Sequence, residues 1–324
     1  MSALDTFVLR AELKAAVRDF FGTRGGLEID TPVVVPAPGT EIYLRYFPTA
    51  WKDVRGKDHA LFLRSSPELH MKQAMAEGAK QVFQLAPCFR SGGELASWHH
   101  PEFTMLEWYE RDIGYGQFIN QTEDLLRHTL ERMKKVAEIR LPARLPRLTV
   151  AEAFHQFAGI RLVDGDPELA RVAKAAGCPS VRGSEDFETA FFKVLLDKVE
   201  PGIQTLGSVV LTDYPPSQAA LAVVKDGVAK RFEFYVNGVE LSNGFEELLD
   251  AKANRQRIDE ANGKRRALGF EIPGDDPAFH RAMAKGLPPC CGNALGFDRW
   301  LALILGETNL DRVIPFRNAG VYEQ

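Results

Sequence analysis

The sequence predicts an α+β fold in which a largely antiparallel sheet is flanked by helices. Residues 82–90 and 102–110 have the composition of strands, and only the eleven residues 91–101 separate them. Because a crossover between parallel strands takes a dozen or more residues, these two strands should be antiparallel. Asn237-Gly238, between residues of high β propensity, is a strong hairpin signal. No G-x-G-x-x-G follows a first strand and no G-x-x-x-x-G-K-[ST] is present, which argues against Rossmann and P-loop folds.

The other elements follow from local patterns along the chain. Apolar residues recur at helical spacing over 6–22, and Gly25-Gly26 ends that helix. Pro32 interrupts an extended segment, and Pro67 suits the first turn of a second helix. The full set comprises helices over 6–22, 67–79, 115–135, most of 150–200 and 251–268, extended segments over 27–35, 208–214 and 219–225, a hairpin over 232–247, and a strand that becomes a helix over 295–305.

The composition is that of an ordinary globular protein. Of the 324 residues, 45% are hydrophobic and 26% are charged, which excludes disordered, collagen-like and coiled-coil classes. The proline-containing segment 141–148 could mark a domain boundary, but chemically informative segments lie on both sides of it. We therefore expect residues 1–324 to form a single domain.

Charge, cysteine content and hydropathy bound the partners and the compartment. The 40 Lys and Arg against 44 Asp and Glu leave a net charge of -4, whereas a large nucleic-acid footprint usually shows as a basic excess. Four cysteines without C-x-x-C spacing predict a reduced, cytoplasmic protein rather than a disulfide framework. Charged residues interrupt the N-terminal segment and no apolar run approaches the ~20 residues that span a bilayer, so neither a signal peptide nor a membrane is expected.

The hairpin carries a candidate metal site. With Asn237-Gly238 as a two-residue loop, Glu233 pairs with Ser242, and Glu233 and Glu240 fall on one face. Their backbones would be about 7–8 Å apart as diagonal neighbours, so the two carboxylates could converge on one hard divalent cation. For an isolated hairpin, a solvated face of alternating charge is the favoured alternative. The adjacent pair His99-His100 favours a non-metal interpretation, because neighbouring side chains diverge on a strand.

The strand over 102–110 carries a candidate ligand face. Phe103, Met105, Glu107 and Tyr109 alternate along it and therefore share one side. A buried core face would not normally hold an unpaired Glu. Aromatic rings, a carboxylate and a phenol together suit a ligand that has a ring and a cation. The alternative is an edge strand with Glu107 in solvent.

Two arginines are candidate anion-binding residues. Arg90 ends a strand before the Gly-rich residues 91–94, where its guanidinium could bind a phosphate with two hydrogen bonds. Glycines within 292–299 would allow a ligand to approach the backbone closely, and Arg299 lies near the start of a helix, where an anion is favoured. The alternative is a bulge, with Arg299 in a salt bridge to Asp298.

Taken in order, these segments resemble the three signature motifs of class II aminoacyl-tRNA synthetases. Residues 26–32 resemble motif 1 with its proline, residues 89–107 resemble motif 2, and residues 292–299 resemble motif 3. Residues 66–68, 102–107 and 240–245 are similar to the corresponding segments of lysyl-tRNA synthetases. The resemblance covers nearly the whole chain and implies a class II synthetase-like catalytic domain.

Within that family the layout is similar to stand-alone lysyl-tRNA synthetase paralogs that modify elongation factor P. Lysyl-tRNA synthetases carry an anticodon-binding domain of over a hundred residues before motif 1, whereas motif 1 begins here by residue 26, so we expect that domain to be absent. Ala294 stands where the paralogs tend to have Ala and the synthetases Gly. The resemblance implies activation of (R)-β-lysine or lysine by ATP and Mg²⁺, transfer to a lysine of elongation factor P, and a homodimer built through motif 1. Without the anticodon-binding domain and with an acidic charge balance, tRNA is not expected as a partner.

The resemblance also implies a role for each matched position. Arg90 and Arg299 would be catalytic through charge stabilisation, and Glu233 and Glu240 would hold Mg²⁺. The ATP-binding set would be Arg90, Glu94, His99, Phe103, Glu233, Glu240, Gly296 and Arg299. The substrate-binding set would be Ser66, Glu68, Glu107, Tyr109, Asn243, Phe245, Glu247 and Ala294, with Glu68 taking the backbone amine and the acids Glu107 and Glu247 the ε-ammonium.

The loop after Arg90 departs from the family pattern. It is one residue longer than usual, Ser97-Trp98 stands in place of an Arg, and His100 replaces a common Asn. Three alternatives stay open: a truncated synthetase that charges tRNA, a non-catalytic lysine-binding paralog, and a ligase for a small amine. The acidic charge balance disfavours the truncated synthetase. Retention of the motif arginines and carboxylates disfavours the non-catalytic paralog, and the acidic substrate pocket disfavours the small-amine ligase.

Overall fold

The computed structural model describes residues 2–92 and 96–316, and the chain divides into two compact units. The first unit comprises residues up to Arg140 and from Leu249 onward, and the second comprises Leu141–Leu248. The second unit begins at the proline-containing segment noted in the sequence. That the two units make one catalytic domain stays a prediction.

The elements alternate between helices and short strands. In chain order the first unit contributes α1 (Ala3–Gly22), β1 (Leu27–Glu28), β2 (Val34–Val35), β3 (Phe47–Lys52), β4 (Asp58–Leu63), α2 (Glu68–Ala76), β5 (Gln81–Phe89), β6 (Glu102–Arg111) and α3 (Tyr115–Arg132). The second unit contributes β7 (Arg147–Thr149), α4 (Val150–Ala158), α5 (Leu169–Ala175), α6 (Phe187–Val194), a π-helical turn (Leu195–Val199), α7 (Glu200–Leu206), β8 (Ser208–Tyr214), a 3₁₀ turn (Pro216–Gln218), β9 (Val224–Lys225), β10 (Val228–Val236) and β11 (Val239–Glu246). The chain then returns to the first unit with α8 (Ala251–Ala267), α9 (Pro277–Lys285), β12 (Cys290–Gly296), α10 (Phe297–Ile304) and a 3₁₀ turn (Leu310–Arg312).

The main strands of the first unit run antiparallel around β6. Strand β6 pairs antiparallel with β5 on one side and with β12 on the other, and the short β1 runs parallel to β5. One side of these strands is apolar and packs against helices: Phe21 of α1 stacks on Phe83 with ring centroids 4.6 Å apart, and Trp108 lies 5.7 Å from Phe21 and 5.9 Å from Phe118 of α3. The other side is therefore left for polar side chains. A separate three-stranded sheet has the order β2-β4-β3.

The second unit has its own antiparallel ladder and helical core. Strand β10 pairs antiparallel with β8, β9 and β11, and β7 runs parallel to β8. The helices bury their apolar faces against this ladder, with Phe154 of α4 stacked on Phe191 of α6 at 5.0 Å.

The predicted antiparallel pair over 82–110, the long helices and the hairpin are confirmed. The predicted strand over 219–225 is wrong, because the segment follows directly on a 3₁₀ turn that ends at Gln218, Ala220 has a left-handed φ of 48°, and only Val224–Lys225 forms a strand. The strand of motif 3 begins at Cys290 rather than at residue 295. Strands β3 and β4 and helix α9 were not predicted. Among residues 2–92 and 96–316, no helix is both long and apolar enough to cross a membrane.

A buried ion pair ties the two ends of the first unit together. Asp298, 2% exposed, accepts hydrogen bonds from Arg10 Nη1 at 2.5 Å and from the backbone N–H of Thr104 at 2.6 Å. Arg10 also donates to Thr104 Oγ1 at 3.0 Å and to the Val313 carbonyl at 2.9 Å. The pair therefore holds α1, β6 and α10 in one arrangement.

We expect Asp298→Ala to lower the free energy of unfolding by about 3 kcal/mol, because it leaves the mostly buried Arg10 cation without its counter-ion. Urea unfolding followed by circular dichroism measures this change. The matched control is Asp259→Ala, which removes an exposed pair with Arg255 and should cost at most about 0.5 kcal/mol. Equal effects of the two substitutions would contradict the expectation.

Candidate active site

The polar side of β6 carries the predicted ligand face of the first unit. Register places Phe103 opposite Cys88, and Glu107 between Gln84 of β5 and Ala294 of β12. Tyr109 lies opposite Gly292. Because β6 is paired on both sides, the alternative of an edge strand with Glu107 in solvent is wrong.

Glu107 is a buried carboxylate with a phenolic partner. It is 2% exposed, and Tyr109 Oη donates to its Oε1 at 2.8 Å. The buried Arg64 adds positive charge: burial lowers its pKa, and Glu107 and Asp30 oppose that change. Arg64 donates to the Pro87 carbonyl at 2.8 Å, so its guanidinium is fixed. The sequence reasoning missed Arg64, which carries no local motif.

Arg90 and Phe103 lie together, as the sequence predicted. The Arg90 guanidinium carbon is 5.2 Å from the centroid of the Phe103 ring, a distance at which the cation is attracted to the ring face. Within the described residues, Arg90 Nε is buried and makes no hydrogen bond. A buried donor of this kind costs free energy, and a phosphate or carboxylate oxygen would satisfy it.

Arg299 lies in the first turn of α10 and reaches the segment after the Gly-rich loop. Its Nε donates to the Trp98 carbonyl at 3.2 Å, and its Nη2 lies 3.2 Å from His99 Nε2. Asp298 instead binds Arg10 at 2.5 Å, so the alternative in which Asp298 neutralises Arg299 is wrong. Gly296 is the last residue of β12 and directly precedes α10. It lies beside Arg299, because a Cβ added at Gly296 would be 3.2 Å from Arg299 Cδ. Glu94 lies outside the described residues.

Glu68 begins α2 with a buried cation beside it. Lys72 is 1% exposed, and its Nζ lies 2.6 Å from Glu68 Oε1. The backbone N–H of Glu68 donates to Ser66 Oγ at 3.4 Å, which places Ser66 before the helix start. Lys72 was missed, although its i,i+4 spacing from Glu68 is a readable signal for a helical ion pair.

The hairpin of the second unit forms at the predicted turn but with a different register beyond it. Asn237 and Gly238 both have positive φ, 49° and 75°, as the two-residue hairpin turn requires. A register shift between Phe234 and Tyr235 then places Asn243 opposite Glu233, so the predicted pairing of Glu233 with Ser242 is wrong. The physical reason is a β-bulge, which inserts one extra residue into one strand of an antiparallel pair.

The bulge preserves the predicted face. Tyr235 is opposite Glu240, and Glu233 is two residues from Tyr235, so both carboxylates project to the same side. Asn243 joins them there, and Phe245 lies opposite Arg231. Glu247, 2% exposed, follows at the end of β11.

Glu233 is buried and its two oxygens have different donors. It is 5% exposed; Arg231 Nη2 lies 2.5 Å from its Oε1, and Tyr235 Oη donates to its Oε2 at 3.0 Å. Arg231 Nε also donates to Asn243 Oδ1 at 3.2 Å, and the guanidinium carbon lies 4.4 Å from the Tyr214 ring centroid. The solvated charged face considered from the sequence is therefore wrong for Glu233.

The electrostatics around Glu233 keep the phenols of Tyr214 and Tyr235 neutral and the Arg231 guanidinium charged. Burial and then the Glu233 carboxylate raise the pKa of Tyr235 and of Tyr214 well above the ordinary value. Burial alone would lower the pKa of Arg231, but Glu233, Tyr214 and Glu240 together outweigh burial and raise that pKa. Arg231 and both tyrosines were missed, although Arg231 and Tyr235 each lie two residues from Glu233 on β10 and therefore share its face.

The donor set fits a cation that arrives with further ligands. Two carboxylates on one side are hard oxygen donors of the kind Mg²⁺ prefers. No group of three or more His, Cys, Asp or Glu side chains suited to a metal occurs in the part of the chain that the structure describes. A divalent cation here would thus need oxygens from another molecule, such as phosphates.

Comparison with known proteins adds independent observations. Residues 2–319 match the family described as tRNA synthetases class II (D, K and N). An elongation factor P–(R)-β-lysine ligase of Hamiltonella defensa subsp. Acyrthosiphon pisum is 34% identical over 319 residues, which cover 97% of this chain and 95% of the relative. Proteins of the same name from Histophilus somni (strain 2336) and Salmonella gallinarum are 36% and 37% identical over 324 residues, again 97% of this chain and 95% of each relative.

The thiol beneath Phe103 should be inert in the native protein. Burial raises the pKa of Cys88 to about 12, so at pH 8 on the order of one thiol in ten thousand would be thiolate. We expect slow reaction with a disulfide reagent, with a rate that rises about tenfold per pH unit below that pKa, and fast reaction in denaturant. Following reagent release against pH measures this. A Cys88→Ser variant shows how much of the reagent release comes from Cys88 rather than from the other three cysteines. A rapid phase at pH 8 that disappears in this variant would contradict the expectation.

Proposed function

The chain belongs to the class II tRNA synthetases (D, K and N), and from this premise we propose that it is an ATP-dependent ligase that joins (R)-β-lysine or lysine to a lysine ε-amine of elongation factor P. The relatives that carry this activity in their names match 97% of the chain at 34–37% identity. The supporting observation within the structure is the buried Glu107 carboxylate with Tyr109 beside it, since a carboxylate kept out of water favours a cationic ligand.

The first unit would supply the contacts to the nucleotide. Arg90 would bind the α-phosphate and the substrate carboxylate, which agrees with its buried Nε donor. Phe103 would stack on adenine, and Arg299, with His99 beside it, would bind the γ-phosphate. Gly296 would let the nucleotide approach the backbone. Glu94 is proposed to contact the adenine edge from the sequence resemblance alone.

The two-step reaction needs no side-chain nucleophile. A carboxylate oxygen of the amino acid attacks the α-phosphorus of ATP and pyrophosphate leaves. The acceptor amine then attacks the acyl carbon of the adenylate, loses a proton, and AMP leaves. Arg90 and Arg299 would act by positioning and by stabilising the charge that develops on the phosphate oxygens.

Glu233 and Glu240 would hold Mg²⁺ on the shared face of the hairpin. The cation would supply neutralisation of phosphate charge, and each carboxylate oxygen of Glu233 still has a lone pair beyond its bond to Arg231 or Tyr235. Asn243 and Phe245 on that face, and Glu247 at its end, are proposed substrate contacts of the second unit.

The amino-acid contacts of the first unit would divide by charge. Glu68, held by Lys72, would take the amine of the substrate, and Glu107 with Tyr109 would take the ε-ammonium. Ala294 lies opposite Glu107, where its methyl would shape the pocket, and Ser66 would line it. A homodimer and a cytoplasmic location are parts of the same proposal, because motif 1 builds dimers in this family and the acceptor is a translation factor.

ATP–pyrophosphate exchange with L-lysine and (R)-β-lysine in parallel tests the activity. We expect exchange with at least one of them, and with the same amino acid a mass increase on purified elongation factor P. Absence of exchange with both would refute the enzyme. Exchange followed by acylation of tRNA, with no change in elongation factor P, would refute the acceptor and favour a synthetase.

Glu240→Gln should reduce exchange by at least about a hundredfold, since it removes one negative ligand from the Mg²⁺ face. Glu246→Gln is the matched control on the same strand, because Glu246 pairs with the surface residue Lys225, and it should leave exchange within about twofold. Equal activity of the two variants would remove Glu240 from the metal assignment.

A further inference from the structure

Arg231 is a cation placed against the acidic face of the hairpin in the second unit. Its Nη2 lies 2.5 Å from Glu233 Oε1, and the arginine side chain is only 16% exposed. Neither the family resemblance nor the names of the relatives assign it a role.

The guanidinium is held from several directions. Nη1 donates to the Gln218 carbonyl at 2.9 Å and Nε donates to Asn243 Oδ1 at 3.2 Å. The Tyr214 ring, 4.4 Å from the guanidinium carbon, covers one side. A group with these anchors stays in place when its carboxylate partner takes up another ligand.

Its position changes the local charge. Glu233 and Glu240 together contribute a charge of −2 to the face on which a cation would bind, and Arg231 offsets half of it. Affinity for a hard divalent ion depends on the charge of its ligands, and Mg²⁺ gives up its water reluctantly. A face with so little net charge should bind the hydrated ion weakly. A cation that is already coordinated by polyphosphate oxygens needs few further ligands from the protein, so this face could still bind it.

We propose that Arg231 is a built-in counter-ion that prevents the Glu233–Glu240 face from taking up a free divalent cation, so that the cation binds as a complex with a nucleoside polyphosphate. This rests on the proposed function, because it takes Glu233 and Glu240 as the metal-binding residues. Arg231 is a positioning and selectivity residue: it fixes Glu233 and sets which form of the cation the face accepts. The fixed partner Tyr235, 3.0 Å from Glu233 Oε2, leaves the carboxylate a single orientation.

Mn²⁺ titration followed by electron paramagnetic resonance tests the proposal for the free ion, because its signal disappears on binding. ATP alone also binds Mn²⁺, so the arm with ATP measures by equilibrium dialysis how much Mn²⁺ the protein retains. The wild-type protein should bind free Mn²⁺ weakly and bind it much more tightly when ATP is present. Arg231→Met should bind free Mn²⁺ at least about tenfold more tightly than wild type, since a unit charge a few ångströms away is worth more than one factor of ten at an effective dielectric constant of about 20.

Two control variants separate the effect of the Arg231 charge from other effects of the substitution. Arg231→Lys keeps the positive charge and should bind free Mn²⁺ with the affinity of the wild-type protein. Lys230→Met removes the same charge from the neighbouring residue, which pairs with Asp213 at 2.9 Å, and should also resemble wild type. An Arg231→Met protein with unchanged or weaker affinity for free Mn²⁺ would overturn the proposal, as would an equal gain in Arg231→Lys.

The wild-type measurement decides the matter even if Arg231→Met does not fold. Tight binding of free Mn²⁺ to the wild-type protein, equal to that with ATP, would overturn the counter-ion role. Loss of the proposed function looks different: the wild-type protein would then bind no Mn²⁺ with ATP and show no exchange. Exchange with lysine, together with no gain in Arg231→Met, would refute the role of Arg231 alone.

Discussion

The burial of carboxylates is the constraint on which the rest of the structure depends. Glu107, Glu233 and Asp298 are 2%, 5% and 2% exposed, and a buried charge is tolerated only where hydrogen bonds and opposite charges replace water. Each therefore requires a matched donor: a tyrosine for Glu107, an arginine and a tyrosine for Glu233, and an arginine and a backbone N–H for Asp298. These donors fix the strands and helices that carry the candidate functional residues.

Successive side chains of β6 point to opposite sides of the sheet, so the residues that pack the core of the first unit and the candidate ligand-binding residues lie on different sides. On one side of β6, Trp108 packs with the aromatic residues of α1 and α3. On the other side, Phe103 and Glu107 lie among the small residues of β12 and the end of β5. The apolar side holds the strand rigidly, and that rigidity positions the polar side for a ligand.

Positive charge among the candidate functional residues of each unit is distributed by role. Arg90 retains a buried donor without a hydrogen bond in the described residues, as a group that awaits an anion would. Lys72 and Arg231 are already committed to carboxylates at 2.6 Å and 2.5 Å, so they orient acids rather than bind phosphate. Under the proposed function, the same contrast would distinguish residues that contact a substrate from residues that position other residues.

The class of fold, the order of the motifs and the face that each candidate functional strand presents can be read from the amino-acid sequence alone. These depend on local periodicity and on short motifs, which are properties of neighbouring residues: Phe103 and Glu107 share a side wherever the strand lies. The partners of the buried charged side chains, in contrast, are set by contacts between distant parts of the chain. Arg10 and Asp298 are 288 residues apart in the chain, and nothing local identifies them as a pair. The bulge that moves Asn243 opposite Glu233 follows from a register that both strands set together. The pairing of charges depends on the whole fold, because a buried charge without an opposite charge or hydrogen bonds costs free energy.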